Sequence, residues 1–176
     1  SKDASRKTRD AASGFVVDLC RTVLDSAGGD SGSAGSNTVV QEFLSMLMAG
    51  LGGTSAHMKS ASVTMLARLV FEFRSRLPPQ SVATILATVA TLLKSNSREI
   101  LKAVLGYVKV SVLALATEYV QPQLRGIIEA VTGWPADLKS RFKSKIRVLF
   151  TILMKKFGVD AVRALTPESD TRLVDH

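Results

Sequence analysis

The sequence predicts an all-α fold of paired, stacked helices. Three observations carry that expectation. Of 176 residues 46% are apolar and 6% aromatic, enough for a continuous core in a composition that leans towards helix. Gly and Pro gather at intervals, where they punctuate, and do not scatter. The segments between those marks alternate in length, short then long.

Taken in order, helices are expected at about 4–25, 38–51, 55–76, 80–94, 97–119, 122–132 and 136–157, with a short helical tail near 159–165. Gly52 and Gly53 in "GLGGTS" stop the second helix, and Thr54 or Ser55 caps the third. "LPPQS" opens the fourth, since proline is tolerated in a first turn. Asn96 with Glu99 three residues later has the capping-box spacing for the fifth. Gly133 ends the sixth and Pro135 starts the seventh.

The long helices superpose. "SASVTMLARLVFEF", "KAVLGYVKVSVLAL" and "FKSKIRVLFTILMK" align on their apolar positions, placing Leu66, Val108 and Val148 in register at offsets of 42 and 40 residues. Helix pairs recurring at about 40–47 residues mark HEAT or armadillo arrays, in which each pair buries its face only by stacking on its neighbours. The expected fold is therefore a HEAT/armadillo-like helical-hairpin solenoid of about seven helices plus a short C-terminal helix. Its expected parts are a leading long helix (1–25), repeats at 38–77, 78–119 and 120–158, and a short helix and tail at 159–176. The first helix has no short partner ahead of it, so the array is expected to be a piece of something longer. "DSAGGDSGSAGSNT" interrupts the rhythm, and residues 26–37 are expected to form a flexible Gly/Ser-rich insertion.

Several function classes find no residues to support them. Cys20 is the single cysteine, so neither a disulfide framework nor a Cys-rich zinc site is available, and in "FVVDLCRTVL" it suits a small buried thiol. His57 and His176 are the two histidines, neither placed to pair with Cys20. "AGLGGTS" lacks the lysine and the preceding strand of a phosphate loop. No catalytic, cofactor or metal site is expected, and the chain is not expected to be an enzyme. The polar opening "SKDASRKTRD" does not resemble a signal peptide. The apolar run after "LPPQ" is laced with Ser and Thr and suits a buried helix, so no membrane partner is expected.

Charge is the informative feature. The chain carries a net +8, yet residues 139–158, "KSRFKSKIRVLFTILMKKFG", hold seven basic residues and no acid. The remaining 16 basic and 15 acidic residues nearly balance, so the basicity is local, as an electrostatic footprint is. Phe142, Ile146, Leu149, Phe150, Leu153 and Phe157 form one apolar stripe at 100° per residue. Lys139, Lys143 and Arg147 run down one flank, Arg141 and Lys145 down the other, and Lys155 and Lys156 close the helix. With no acid at i+4 these cations repel one another, and an anionic partner relieves that cost. These seven residues are the expected phosphate-binding set. The aromatics face the core, so no base-stacking platform is expected, and contact with RNA phosphates and shape follows. The alternative is a protein-interaction solenoid, adaptor-like or like a transport receptor, whose basic helix meets an acidic partner.

"NTVVQEFLSMLMAGLGG", "MKSASVTMLARLVFEF", "ILKAVLGYVKVSV" and "RFKSKIRVLFTILMKKFG" resemble consecutive segments of the HEAT-repeat ribosome-assembly family of ribosomal RNA-processing protein twelve. The resemblance runs from about Lys7 to Gly158 and beyond, apart from the Gly/Ser insertion. It implies a scaffold in the nucleolus and nucleus, with shuttling to the cytoplasm, that acts on precursors of the small ribosomal subunit and in their export. The implied partners are pre-ribosomal RNA, ribosome-assembly proteins and the neighbouring repeats of a longer chain.

Overall fold

The computed structural model describes residues 2–26, 33–53 and 55–175. Among the described residues all regular structure is helical: α1 (Lys2–Ser26), α2 (Ser33–Gly50), α3 (Ala56–Phe73), α4 (Pro79–Thr91), α5 (Arg98–Ala114), α6 (Thr117–Thr132), α7 (Ala136–Arg141), α8 (Lys143–Phe157) and α9 (Val159–Leu165). Short 3-10 turns lie at Leu92–Lys94 and Glu168–Leu173. No helix among them is long and apolar enough to cross a membrane.

The helices stack in two layers. α4 packs on α6 in one layer, with α2 ahead of them, while α1, α3, α5 and α8 follow one another in the second. Within a repeat α2 packs on α3, α4 on α5 and α6 on α8. This is the helical-hairpin solenoid that the sequence predicts, and its core repeats with the chain. Val63, Leu66, Val70 and Phe73 of α3 recur as Leu105, Val108, Val112 and Leu115, and all eight are buried. In the other layer Val40, Leu44 and Leu51 recur as Val82, Leu86 and Leu93, then as Val120, Leu124 and Val131, again all buried. Burying a side chain of this size is worth about 1.5–3 kcal/mol, so the stacked faces dominate the energetics.

The third long helix departs from the expected register by one residue. Val148, expected to match Val108, is 44% exposed, whereas Leu149 is 1% exposed. Phe142, Ile146, Leu149 and Leu153 are the buried counterparts of Leu101, Leu105, Val108 and Val112, an offset of 41 residues in place of 40. The run Val148-Leu149-Phe150 is apolar at every position, so pattern alone does not choose among its members.

Polar bonds between repeats span the same interval. Gln41 Nε2 donates to Ser81 Oγ at 3.1 Å, His57 Nδ1 lies 2.9 Å from Glu99 Oε1, and Trp134 Nε1 donates to the Leu93 carbonyl at 2.8 Å. The Arg98 and Asp137 side chains approach to 3.8 Å. Arg21 and Arg76 tie α1 to α3 through Glu72 and Asp25. Each of these bonds links one repeat to the next. Two buried ionisable groups sit in the stack. Burial raises the Cys20 thiol above its ordinary value, in keeping with the small buried thiol expected from its surroundings, and raises the Tyr107 phenol strongly. The Tyr107 hydroxyl donates to the Val82 carbonyl at 3.2 Å.

Several boundaries differ from expectation. The fifth helix ends at Ala114, because Leu115 and Ala116 are extended, and the sixth begins at Thr117. Pro122 therefore lies inside α6. Its missing N–H would have bonded the carbonyl of Glu118, an exposed residue near the helix start, where the loss is tolerated. The expected helix 136–157 is kinked at Phe142, whose φ of −102° and ψ of 15° separate α7 from α8. The Phe142 ring sits 6.0 Å from that of Trp134. Ser97, not Asn96, caps α5, its side chain accepting from the Ile100 N–H, and Glu99 turns away to His57 and Ser60. α2 starts at Ser33, inside the stretch expected to be an insertion, since Gly35 within a helix costs only about 1 kcal/mol. Residues 27–32 of that insertion lie outside the described residues. Ser55 caps α3, Pro79 opens α4 and Gly133 ends α6 as expected.

Candidate nucleic-acid interface

The basic segment is built on α8 and the short α7 before it. Ile146, Leu149, Phe150 and Leu153 anchor α8 in the core, which forces the intervening residues outward. Arg141, Lys143, Lys145, Arg147 and Lys155 are exposed and Lys156 is half-buried. None of these six makes an ion pair among the described residues. Lys155 and Lys156 stand in the last turn of α8, where the helix dipole favours cations. Gly158 then turns the chain into α9 with a φ of +88°, a conformation open to glycine and strained for other residues.

Lys139 is the exception. Its ammonium donates to both carboxylate oxygens of Asp170 at 3.1 Å, and the Asp170 side chain is only 12% exposed. Its charge is already matched, by an acid that lies 31 residues away in the tail and outside the acid-free segment. The break at Phe142 falls between Lys139 and Lys143, which still line one cleft together.

The cations of α8 straddle the helix. Lys143 lines a cleft of about 300 Å³ with Lys139, Asp170 and Leu173, towards the C-terminal 3-10 turn. Lys145 lines clefts on the opposite side, towards α5. There the structure brings in two residues that the sequence pattern missed. Lys102 and Lys109 of α5 are exposed and each lines one of the two clefts that Lys145 lines, with Gly106 between them. Their signal was present: Lys102, Gly106 and Lys109 fall at i, i+4 and i+7, one outward face of a helix whose other face is apolar. It was hidden because α5 is not conspicuously basic along the chain.

Chemically, the lysines and arginines of this surface offer ammonium and guanidinium donors. No group of three or more His, Cys, Asp or Glu residues suited to a metal occurs among the described residues. Such donors hold phosphate or carboxylate groups by charge and hydrogen bonding.

Fold and surface together define a helical-repeat protein with a basic edge. No family model matches the chain. Curated relatives do. The chain is 32% identical over 183 residues to "Ribosomal RNA-processing protein 12" of Saccharomyces cerevisiae, covering 99% of this chain and 15% of that protein. It is 26% identical to "Putative ribosomal RNA-processing protein 12" of Schizosaccharomyces pombe, over 98% of this chain and 15% of the relative. It is 37% identical to the "RRP12-like protein" of Gallus gallus over 73% of this chain and 10% of the relative. The chain belongs to the ribosomal RNA-processing protein 12 family, of whose members it corresponds to a segment of about one seventh of the length.

Proposed function

We propose that this chain is a non-catalytic scaffold segment of a ribosome-assembly factor, acting in pre-ribosomal RNA processing and in small-subunit assembly and export. Its α7–α8 surface contacts RNA phosphates through Arg141, Lys143, Lys145, Arg147, Lys155 and Lys156, while Lys139 holds the tail in place. It works in the nucleolus and nucleus beside assembly proteins and the neighbouring repeats of the full-length protein. The observation that carries this reading is the set of six basic side chains with no carboxylate partner among the described residues, on a chain whose curated relatives are named for ribosomal RNA processing. A merely solubilising helix commonly pairs its lysines with acids at i+4; α8 holds no acid, and Asp137, four residues before Arg141 on α7, approaches Arg98 instead.

The test is binding of the 176-residue chain to structured ribosomal RNA across a salt series. With about four phosphate contacts, the log–log slope is expected at roughly −3 to −4. A variant carrying Arg141→Glu, Lys143→Glu, Lys145→Glu and Arg147→Glu keeps the core and the Lys139–Asp170 pair, and should lose that binding. Unchanged binding by the variant, or none by the parent, sinks the assignment. Capture of an acidic peptide in its place would make the surface a protein-docking site.

A further inference from the structure

Two clefts beside α5 adjoin at Gly106 and Lys145. The smaller, about 200 Å³, lies between α5 and α8 and is lined by Leu105, Gly106, Lys109, Ser144, Lys145 and Val148. The larger, about 830 Å³, shares Gly106 and Lys145 with it and runs on past Lys102 across α3 to α1. Cations from both helices line them: Lys109 of α5 lines the smaller cleft with Lys145 of α8, and Lys102 of α5 lines the larger one with the same Lys145. All three are exposed, and none makes an ion pair among the described residues.

The acids belong to the larger cleft, where Glu99 stands about one helical turn before Lys102. Asp10 and Glu99 line the larger cleft, and the Glu99 carboxylate is engaged by His57 Nδ1 at 2.9 Å and the Ser60 hydroxyl at 3.0 Å. The residues lining the α5–α8 portion include no acid. Between its lysines the floor is bare. A Cβ on Gly106 would meet nothing within 4 Å, and Val148, an apolar side chain 44% exposed, lines the same cleft. A groove with cations along both rims and an apolar, side-chain-poor floor matches a polymer that alternates charged linkers with flat apolar faces.

We propose that the α5–α8 groove holds one single strand of nucleic acid, its phosphates drawn to Lys102, Lys109 and Lys145 and its sugars and bases lying over Gly106 and Val148. This rests on the RNA reading above and deepens it, adding α5 to the contact surface and naming the form of RNA bound. Lys102 and Lys109 are separated by about 10 Å along the helix, so they meet different phosphates of the same strand. Axes of packed helices lie about 8–10 Å apart, and a groove of that width admits one backbone. A duplex would ride across its rims without reaching the floor.

The experiment compares a labelled oligouridylate of about 15 nucleotides with an RNA duplex of equal length, using the 176-residue chain and three variants. The parent should bind the single strand more tightly than the duplex. Lys102→Glu with Lys109→Glu should weaken single-strand binding by about tenfold or more and reduce the magnitude of the salt slope by roughly 1.4, the share of two contacts. Gly106→Leu changes no charge and places a better helix former at an exposed site, so it should fold at least as well yet bind the strand more weakly. The third variant, Arg141→Glu with Arg147→Glu, alters cations outside the groove lining. If it alone loses RNA while both α5 variants bind like the parent, the groove is wrong and the RNA reading stands. Preference for duplex overturns the groove in the same way. A parent that binds neither RNA form, whether or not it takes up polyglutamate, overturns both.

Discussion

The indole nitrogen of Trp134 donates a buried 2.8 Å hydrogen bond to the carbonyl oxygen of Leu93, 41 residues earlier and one repeat upstream. Leu93 lies in the 3-10 turn that finishes α4, where carbonyls have lost their intrahelical donors. One side chain thus completes the preceding repeat's helix end and, through its ring, supports Phe142 at the start of α8.

Trp134→Phe keeps most of the ring packing and removes the donor. It should lower stability by about 1–3 kcal/mol, the cost of leaving a buried carbonyl unsatisfied. Urea denaturation followed by far-UV circular dichroism measures it. A change within experimental scatter would mean that another donor replaces the indole.

Leu149 and Val148 are adjacent, yet only Leu149 belongs to the core. Leu149→Ala should cost about 2–5 kcal/mol, and Val148→Ala about 0.5 kcal/mol or less. Equal losses, or the reverse order, would restore the 40-residue register in place of 41.

Tyr107 is fully buried, its hydroxyl bonded to the Val82 carbonyl and its phenol raised by desolvation. Because the folded value lies above the unfolded one, the protonated phenol's contribution is complete below the ordinary tyrosine range and fades as pH rises beyond it. The unfolded chain ionises first, near pH 10, and stability then falls by about 1.4 kcal/mol per pH unit from this group. Tyr107→Phe should cost about 0.5–1.5 kcal/mol at neutral pH and flatten that alkaline loss. Parallel stability curves for parent and variant between pH 9 and about 11 would count against it.

Lys139 and Lys145 have opposite roles in the same basic segment. Lys139→Ala leaves the largely buried Asp170 carboxylate without its cation and should destabilise by about 1–3 kcal/mol. Lys145→Ala removes an exposed, unpaired cation and should shift stability by about 0.5 kcal/mol or less, while weakening RNA binding. Thermal melts and a binding titration on both variants separate the two roles.

The stacked-hairpin fold was legible because it rests on many buried positions at once. Leu66 and Val108 repeat at 42 residues with their neighbours, and no single ambiguity can hide such a pattern. What escaped was decided by one or two residues in three dimensions. Asn96 and Glu99 have capping-box spacing, but Glu99 finds His57 and Ser60 on α3 of the preceding repeat, partners 42 and 39 residues away that local pattern does not supply. The acid that neutralises Lys139 lies outside its segment for the same reason. Lys102 and Lys109 are unremarkable on α5 and acquire meaning only when stacking sets them opposite Lys145.

Bonds such as Trp134 to Leu93 and Arg98 to Asp137 join only successive repeats, which gives the array the mechanics of a coil spring. A bend is taken up joint by joint, and each joint yields without disturbing the packing inside its neighbours. The cleft between α5 and α8 spans one such joint. Its width is therefore set by the angle between two repeats, and side chains that never reach into it bear on that angle.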